Sequence, residues 1–289
     1  MSRIAILADS GCQIAINEIP GVYIVPLQVI INEKTYLDEV DIDSKTVFEM
    51  MRKDKLLLPK TSQPSSGAIV EAITQLKEDG YDEVLAITIA TGLSSTLSGV
   101  HLACEMEKIP VTLIDSKGTA GNHKYLVEVA LQLINEGKSR EEIKPILEDL
   151  VDHSATIIMT SNLDHLKRGG RITPAVAMLA NMLKIIPVMK LNMDLGGKID
   201  VLTKVRTVKK ANLTIMDHML SCGVNAKDYI LTMEHVLCDE FASQMLAELK
   251  KKIGQGVEVA YGLLPSVVGV HMAWGVLMQS YQNAVCISG

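Results

Sequence analysis

Three short runs of consecutive apolar residues constrain this chain most. RIAILAD at 3–9, DEVLAITIA at 82–90 and VTLID at 111–115 are each the length of a strand and too apolar to have a wet face. Strands buried on both faces are characteristic of parallel sheets, whose crossovers are helices. The intervening segments supply them. Ile69, Ala72, Ile73 and Leu76 fall on one helical face, as do Ile143, Ile146, Leu147 and Leu150. The second of these helices opens on SREE, which places Ser139 and Glu142 at the spacing of a capping box. The first half is therefore expected to be parallel α/β.

From Thr156 the rhythm changes. A strand TIIMTS is followed by the turn KRGGR, an apolar helix over Pro174 to Leu183, and two strands, PVMKLN and KIDVLTKV, joined across MDLGG as a hairpin. Helices are expected near 208–221 and 239–252, the latter ending on Lys250, Lys251 and Lys252 before Gly254. A chain of 289 residues is long enough for two cores. The expected division is 1–153, an N-terminal parallel-sheet α/β domain, and 154–289, a C-terminal mixed-sheet α/β domain. Val259 to Met278 carries no charge over its whole length and would pass a crude membrane filter. Gly262, Pro265, Gly269 and Gly275 punctuate it, and it reads instead as two buried strands joined by a turn.

The net charge of -6 removes the electrostatic basis for binding nucleic acid. Five cysteines lie far apart with no CxxC pair, and MSRIAILADSG has no signal-peptide pattern. The expectation is a cytoplasmic protein with reduced thiols. Fifteen Met against two Phe make an adaptable apolar interior, suited to irregular gaps or to flexible apolar ligands.

Ligands of open parallel sheets bind beyond the carboxyl ends of the strands, where helix N-termini present free amides. Four polar segments fall there: Asp9 and Ser10, the hydroxyl-rich KTSQPSSG at 60–67, TGLSSTLS at 91–98, and Asp115 with Ser116. Each could cap a helix. Together they point to a crevice rich in hydrogen-bond donors, suited to a carboxylate or phosphate. His101, His123, His153, His165, His218 and His235 have no ligand spacing with Cys or carboxylates, so no metal is expected, and no GxxxxGK[ST] phosphate loop occurs.

In order along the chain, ADSG, KTSQPS, a Gly-Leu-Ser loop after a strand, IDSKGTAG, LDHLKRGGRI, KIIPVMKLNMDLGGKI, KVRTVKKA and GVHMAWG resemble the DegV family over nearly the whole length. The resemblance implies two α/β domains with a long-chain fatty acid between them. Its members are similar to the acyl-carrying subunit of bacterial fatty acid kinase, whose partner kinase phosphorylates the bound carboxylate. It assigns Thr61 and Ser62 of TSQPS to the carboxylate, with Thr91 or Ser94 from the next loop. The family's Ser-Ser-x-Leu-Ser-Gly-Thr reads here as ATGLSST, so Ala90 and Thr91 replace the paired serines and Ser95 replaces Gly. The resemblance also places His271 at the carboxylate, with Arg171, Gly170, Asp9 and Ser10 around the mouth. The segment after His271 departs from the usual Gly-Pro-Gly. Met178, Met182 and Met189 are close enough to GGRI in sequence to line an acyl tunnel.

Burying about 14 methylenes at about 0.8 kcal/mol each gives on the order of 11 kcal/mol before ordering is charged against it, so the tail would dominate affinity. The expected function is a carrier that catalyses nothing itself, needs no cofactor, and presents the carboxylate to a separate kinase subunit. It has room for transient contact with a membrane surface but no transmembrane segment. Two other classes fit the same residues. One is a hydrolase or acyltransferase with a Ser nucleophile and His271 as base, although no GxSxG elbow is present. The other is a binding module for a different small anionic metabolite.

Overall fold

A computed structural model describes residues 3–160, 163–179, 182, 184–254, 256–272 and 274–282. The first half runs β1 (Ile4–Asp9), β2 (Val22–Val25), β3 (Gln28–Ile31), β4 (Lys34–Leu37), α1 (Ser44–Lys53), β5 (Lys60–Ser62), α2 (Ser66–Glu78), β6 (Glu83–Thr88), α3 (Thr96–Met106), β7 (Val111–Asp115), α4 (Ala120–Asn135) and α5 (Arg140–Asp152). The second half runs β8 (Ala155–Thr160), α6 (Asp164–Gly169), α7 (Pro174–Leu179), β9 (Ile186–Asn192), β10 (Lys198–Val205), α8 (Val208–Ser221), β11 (Tyr229–Val236), α9 (Asp239–Ile253), β12 (Glu258–Leu263), α10 (Ser266–Gly269) and β13 (Gly275–Gln282).

β2, β1, β6 and β7 form a parallel sheet in that order. Its centre is the sequence's first apolar run: Ala5, Ile6, Leu7 and Ala8 are wholly buried. Ile69, Ile73 and Leu76 of α2 pack on one face with β1, and Ile143, Leu147 and Leu150 of α5 lie in the core on the other. The Ser139 capping box forms as its spacing predicts. The six strands of the second sheet, ordered β10-β9-β8-β13-β11-β12, all come from beyond residue 154, and only β11 and β12 pair in parallel. The expected hairpin is β9 with β10.

Two features depart from the sequence-based expectation. Residues 28–62 contribute a third, antiparallel sheet, β4-β3-β5, so KTS is an edge strand before it is a helix approach. This sheet and α1 do not pack within their own half. Leu27, Val29 and Phe48 share one apolar core with Ile158, Leu166, Val267 and Leu277, and that core joins the two larger sheets. The second departure is SVVGVHMAW, expected to be a strand. It opens instead with the single helical turn α10 and leaves only its last residues to precede β13. Gly269 explains the turn: a Cβ there would sit 2.2 Å from the Phe48 ring, and the close approach locks α10 against α1.

Candidate functional site

The apolar core that joins the halves contains a narrow seam, a cavity of about 60 Å³ lined by Leu27, Ile158, Leu166, Val267, Met272 and Leu277 among others. The seam ends on a polar cluster. Thr61, Ser62, Leu93, Ser94 and Arg171 line both the seam and an adjoining open vestibule of about 470 Å³, so they form the junction between oil and water. β5 delivers Thr61 and Ser62, the turn before α3 delivers Ser94, and the turn after α6 delivers Arg171.

His271, at the end of α10, meets this junction from the apolar side. Its Nε2 lies 2.8 Å from Thr61 Oγ1. Burial pushes the imidazole down to about 4, and the Arg171 and His165 charges act in the same direction. A neutral ring at pH 7 holds one proton for two nitrogens. The tautomer sets the direction of the bond to Thr61: with the proton on Nδ1 the Thr61 hydroxyl donates to Nε2, and with it on Nε2 the ring donates and the Thr61 proton is left for a ligand. Arg171 is fixed by its own backbone surroundings: Nε donates to the Leu93 carbonyl at 3.0 Å and Nη1 to that of Gly169. Ser94 Oγ lies 2.8 Å from Thr96 Oγ1. Ser62 Oγ donates to Gln28 Oε1 at 2.7 Å, which keeps its acceptor side at the junction.

The vestibule wall is a close contact between halves. Gly92 N donates to the Gly196 carbonyl at 2.8 Å, and a Cβ on Gly92 would lie 2.5 Å from Lys198 N. Only glycine lets the loop after β6 reach the turn of the β9–β10 hairpin. Gly169 and Gly170 complete the rim beside Arg171.

Residues 3–281 match the family model described as "Uncharacterised protein, DegV family". The chain belongs to the DegV family. Protein DegV of Bacillus subtilis (strain 168) is 31% identical over 283 residues, which cover 95% of this chain and 97% of that one. The solved structure of DegV from Bacillus subtilis, titled a fatty acid binding protein, superposes with a TM-score of 0.82 at 30% identity over 98% of this chain and 99% of that one. A fatty acid binding DegV family protein from Streptococcus agalactiae gives 0.86 at 26% identity over 98% and 99%.

The structure sorts the residues assigned from sequence. Thr61, Ser62, Ser94, Arg171 and His271 come together, and Gly170 lies on the vestibule rim. Thr91 reaches only the vestibule, where its Oγ1 donates to Asp115 Oδ2 at 2.5 Å. Asp9 and Ser10 line neither space. Asp9 is wholly buried and accepts from Gly11 N at 3.0 Å and Ile89 N at 2.9 Å, tying the end of β1 to the segment after β6. Ser10 Oγ accepts from Leu27 N at 3.0 Å. Both are corrections to the expected mouth.

The methionines are a second correction. Met178 and Met182 are 74% and 44% exposed, and Met189, though buried, does not line the seam. α7 turns Val176 inward, and a residue two positions on lies across the helix from it. Leu27, Ile158, Val267, Val268 and Met272 are lining residues that sequence reasoning missed. The paired valines before His271 carried the available signal: an apolar dipeptide flanking the assigned headgroup residue.

Proposed function

We propose that this chain binds a long-chain fatty acid between two units, residues 1–153 and 154–289, and presents its carboxylate to a partner kinase subunit. The observation that carries the reading is the seam's polar end. An apolar cavity closes on Thr61 and His271, with Ser94 and the Arg171 guanidinium beside them, where it meets the vestibule. The acyl tail lies along Leu166, Val267 and Met272, while Thr61 and Ser94 donate to the carboxylate and Arg171 balances its charge. A 60 Å³ seam holds only a few waters, so the tail enters by parting the side chains around it. Met272 is suited to such adjustment. The fatty-acid binding of the Bacillus subtilis and Streptococcus agalactiae relatives supports the same assignment here.

The vestibule leaves the carboxylate within reach of a second protein. A phosphoryl donor would come with that protein, because this sequence carries no GxxxxGK[ST] loop. Four of the five cysteines are described and all are free thiols, which agrees with a cytoplasmic setting. No helix among the described residues is long and apolar enough to cross a membrane.

The test is in two parts. Organic extraction of purified, folded protein followed by mass spectrometry should recover long-chain fatty acid, and finding neither retained acid nor uptake of added palmitate or oleate would sink the reading. Acyl-phosphate formed with ATP and a cognate kinase, trapped with hydroxylamine, should fall more in Arg171→Ala than palmitate affinity does. Ester hydrolysis by the isolated protein that disappears in Ser94→Ala would favour the hydrolase instead.

A further inference from the structure

A separate, partly open groove of about 340 Å³ lies between α4 and the edge of the mixed sheet, and it shares no residue with the seam or the vestibule. Its origin is a mismatch in side-chain size. α4 approaches β11 so closely that a Cβ on Gly121 would lie 2.4 Å from Thr232 Cγ2. One strand further out, β12 presents Ala260 beside Thr232 and Gly262 beside Glu234. The helix therefore seats tightly over β11 and leaves a groove over β12.

The groove is acidic. Glu234 lines it at 5% exposure, and its Oε2 has no hydrogen-bond partner. A buried carboxylate oxygen left in that state is costly, and a donor brought to it would be correspondingly favourable. Glu128 of α4 and Glu258 of β12 stand on the same walls, against Lys124 as the single cation. The neutral polar groups there are already engaged: Gln13 Nε2 donates to the Leu263 carbonyl at 2.8 Å, and Tyr261 Oη donates to Asp239 Oδ1 at 2.8 Å. Lys124 makes no hydrogen bond to Glu234 Oε2, which is left without a donor. Among the described residues no three His, Cys, Asp or Glu side chains gather to hold a metal ion.

We propose that this groove is a second ligand site, taking a small organic primary ammonium compound whose N–H groups reach Glu234 while the rest of the ligand lies over Ala260 and Gly262. A volume of 340 Å³ corresponds to about eleven waters at ~30 Å³ each, room enough for a four- or five-carbon amine.

Burial lifts the Glu234 carboxyl to about 8, opposed by a hydrogen bond from the Gly121 amide and by the Lys124 charge. Below that pH the ligand must displace a proton, so affinity rises from pH 6 to pH 8 by roughly ten- to a hundredfold and then levels. The other titratable groups lining the groove are Lys124, Tyr125 and Glu128 from α4, with Glu18 acting on Glu128, and Glu258 and Tyr261 from β12.

The test is calorimetric titration with 1,4-diaminobutane in non-amine buffers, with butyrate and tetramethylammonium as controls, on the full chain. Diaminobutane should bind one per chain, and neither control should. Glu234→Gln should weaken it at least tenfold and flatten the pH dependence. Gly262→Leu places its side chain in open space beside Glu234 and should abolish binding even if the Gln variant folds poorly. Palmitate uptake should be unchanged in both variants, so failure of the fatty-acid reading and failure of this one are separable. No binding of diaminobutane at pH 8, equal binding of tetramethylammonium, or binding retained in both variants would overturn the proposal.

Discussion

Two groups of polar side chains were assigned to the site, and they differ in whether they border the apolar seam. Asp9, Ser10 and Thr91 follow β1 and β6, where an open parallel sheet usually holds its ligand. Their bonds close on the protein: Asp9 on two backbone amides, Ser10 on Leu27, Thr91 on Asp115. Thr61, Ser94, Arg171 and His271 come from an edge strand, a loop, a turn and a single helical turn, yet they converge where the apolar seam meets the vestibule. Position at a strand end marks where a polar group is placed. Whether it also borders the apolar seam decides whether it can serve a ligand as well as the fold.

Substitutions should separate the two groups, and the largest effect is expected at Asp9. Asp9→Ala leaves two buried amides without an acceptor and should lower unfolding free energy by about 2–6 kcal/mol at roughly 1–3 per amide, read by urea denaturation. Palmitate affinity of the fraction that remains folded should be unchanged. Next come Thr61→Val and Arg171→Met, which should each weaken palmitate binding by about 1–3 kcal/mol, five- to 150-fold, with a smaller loss of stability than Asp9→Ala. A strong loss of stability without loss of affinity would make Thr61 a structural residue like Asp9. Thr91→Val should have the smallest combined effect: about 0.5–1.5 kcal/mol in stability and no change in affinity, because its proton is already given to Asp115.

Acidification gives a further contrast. His271 is held neutral, with its folded value lowered from 6.5 to about 4, so its contribution to stability is complete above about pH 6.5 and is lost as pH falls toward 4. Glu234 runs the other way. Its value is raised from 4.5 to about 8, so its favourable contribution is present below 4.5 and disappears as pH rises through 8. Relative to wild type, Glu234→Gln should therefore gain stability between pH 5 and pH 9, and His271→Gln should gain it between pH 6.5 and pH 4. Denaturation curves across pH check both signs, and parallel curves for wild type and variants would contradict them.

The sequence was most readable where burial is two-sided. The runs at 3–9, 82–90 and 111–115 became β1, β6 and β7 because a strand covered on both faces has little alternative to apolar side chains. β3, β4 and β5 are three or four residues long and alternate weakly, so no period stands out. α10 was hidden for the opposite reason. SVVGV is apolar enough for a strand, and the close approach of Gly269 to Phe48 that accompanies its helical turn joins residues distant in sequence. At the site, Thr61, Ser94, Arg171 and His271 were visible through family resemblance. Asp9 and Ser10 were visible for their position but not for their partners, since nothing local in the sequence tells an acceptor that meets Ile89 from one that meets a ligand. The exposed Met178 shows the same limit for apolar residues: closeness in sequence to the headgroup turn did not fix which side of α7 it would occupy.

The central claim is that the seam's polar end holds an ionised carboxylate, and the most direct measurement is the carboxyl resonance of palmitate carrying ¹³C at C1, titrated with pH in complex with the protein. The arrangement predicts one bound resonance that stays ionised to a pH below that at which the free acid protonates, through the Arg171 charge, and that titrates closer to the free acid in Arg171→Met. A bound carboxyl that titrates like the free acid in wild type, or that does not respond to either Arg171→Met or Thr61→Val, would contradict it.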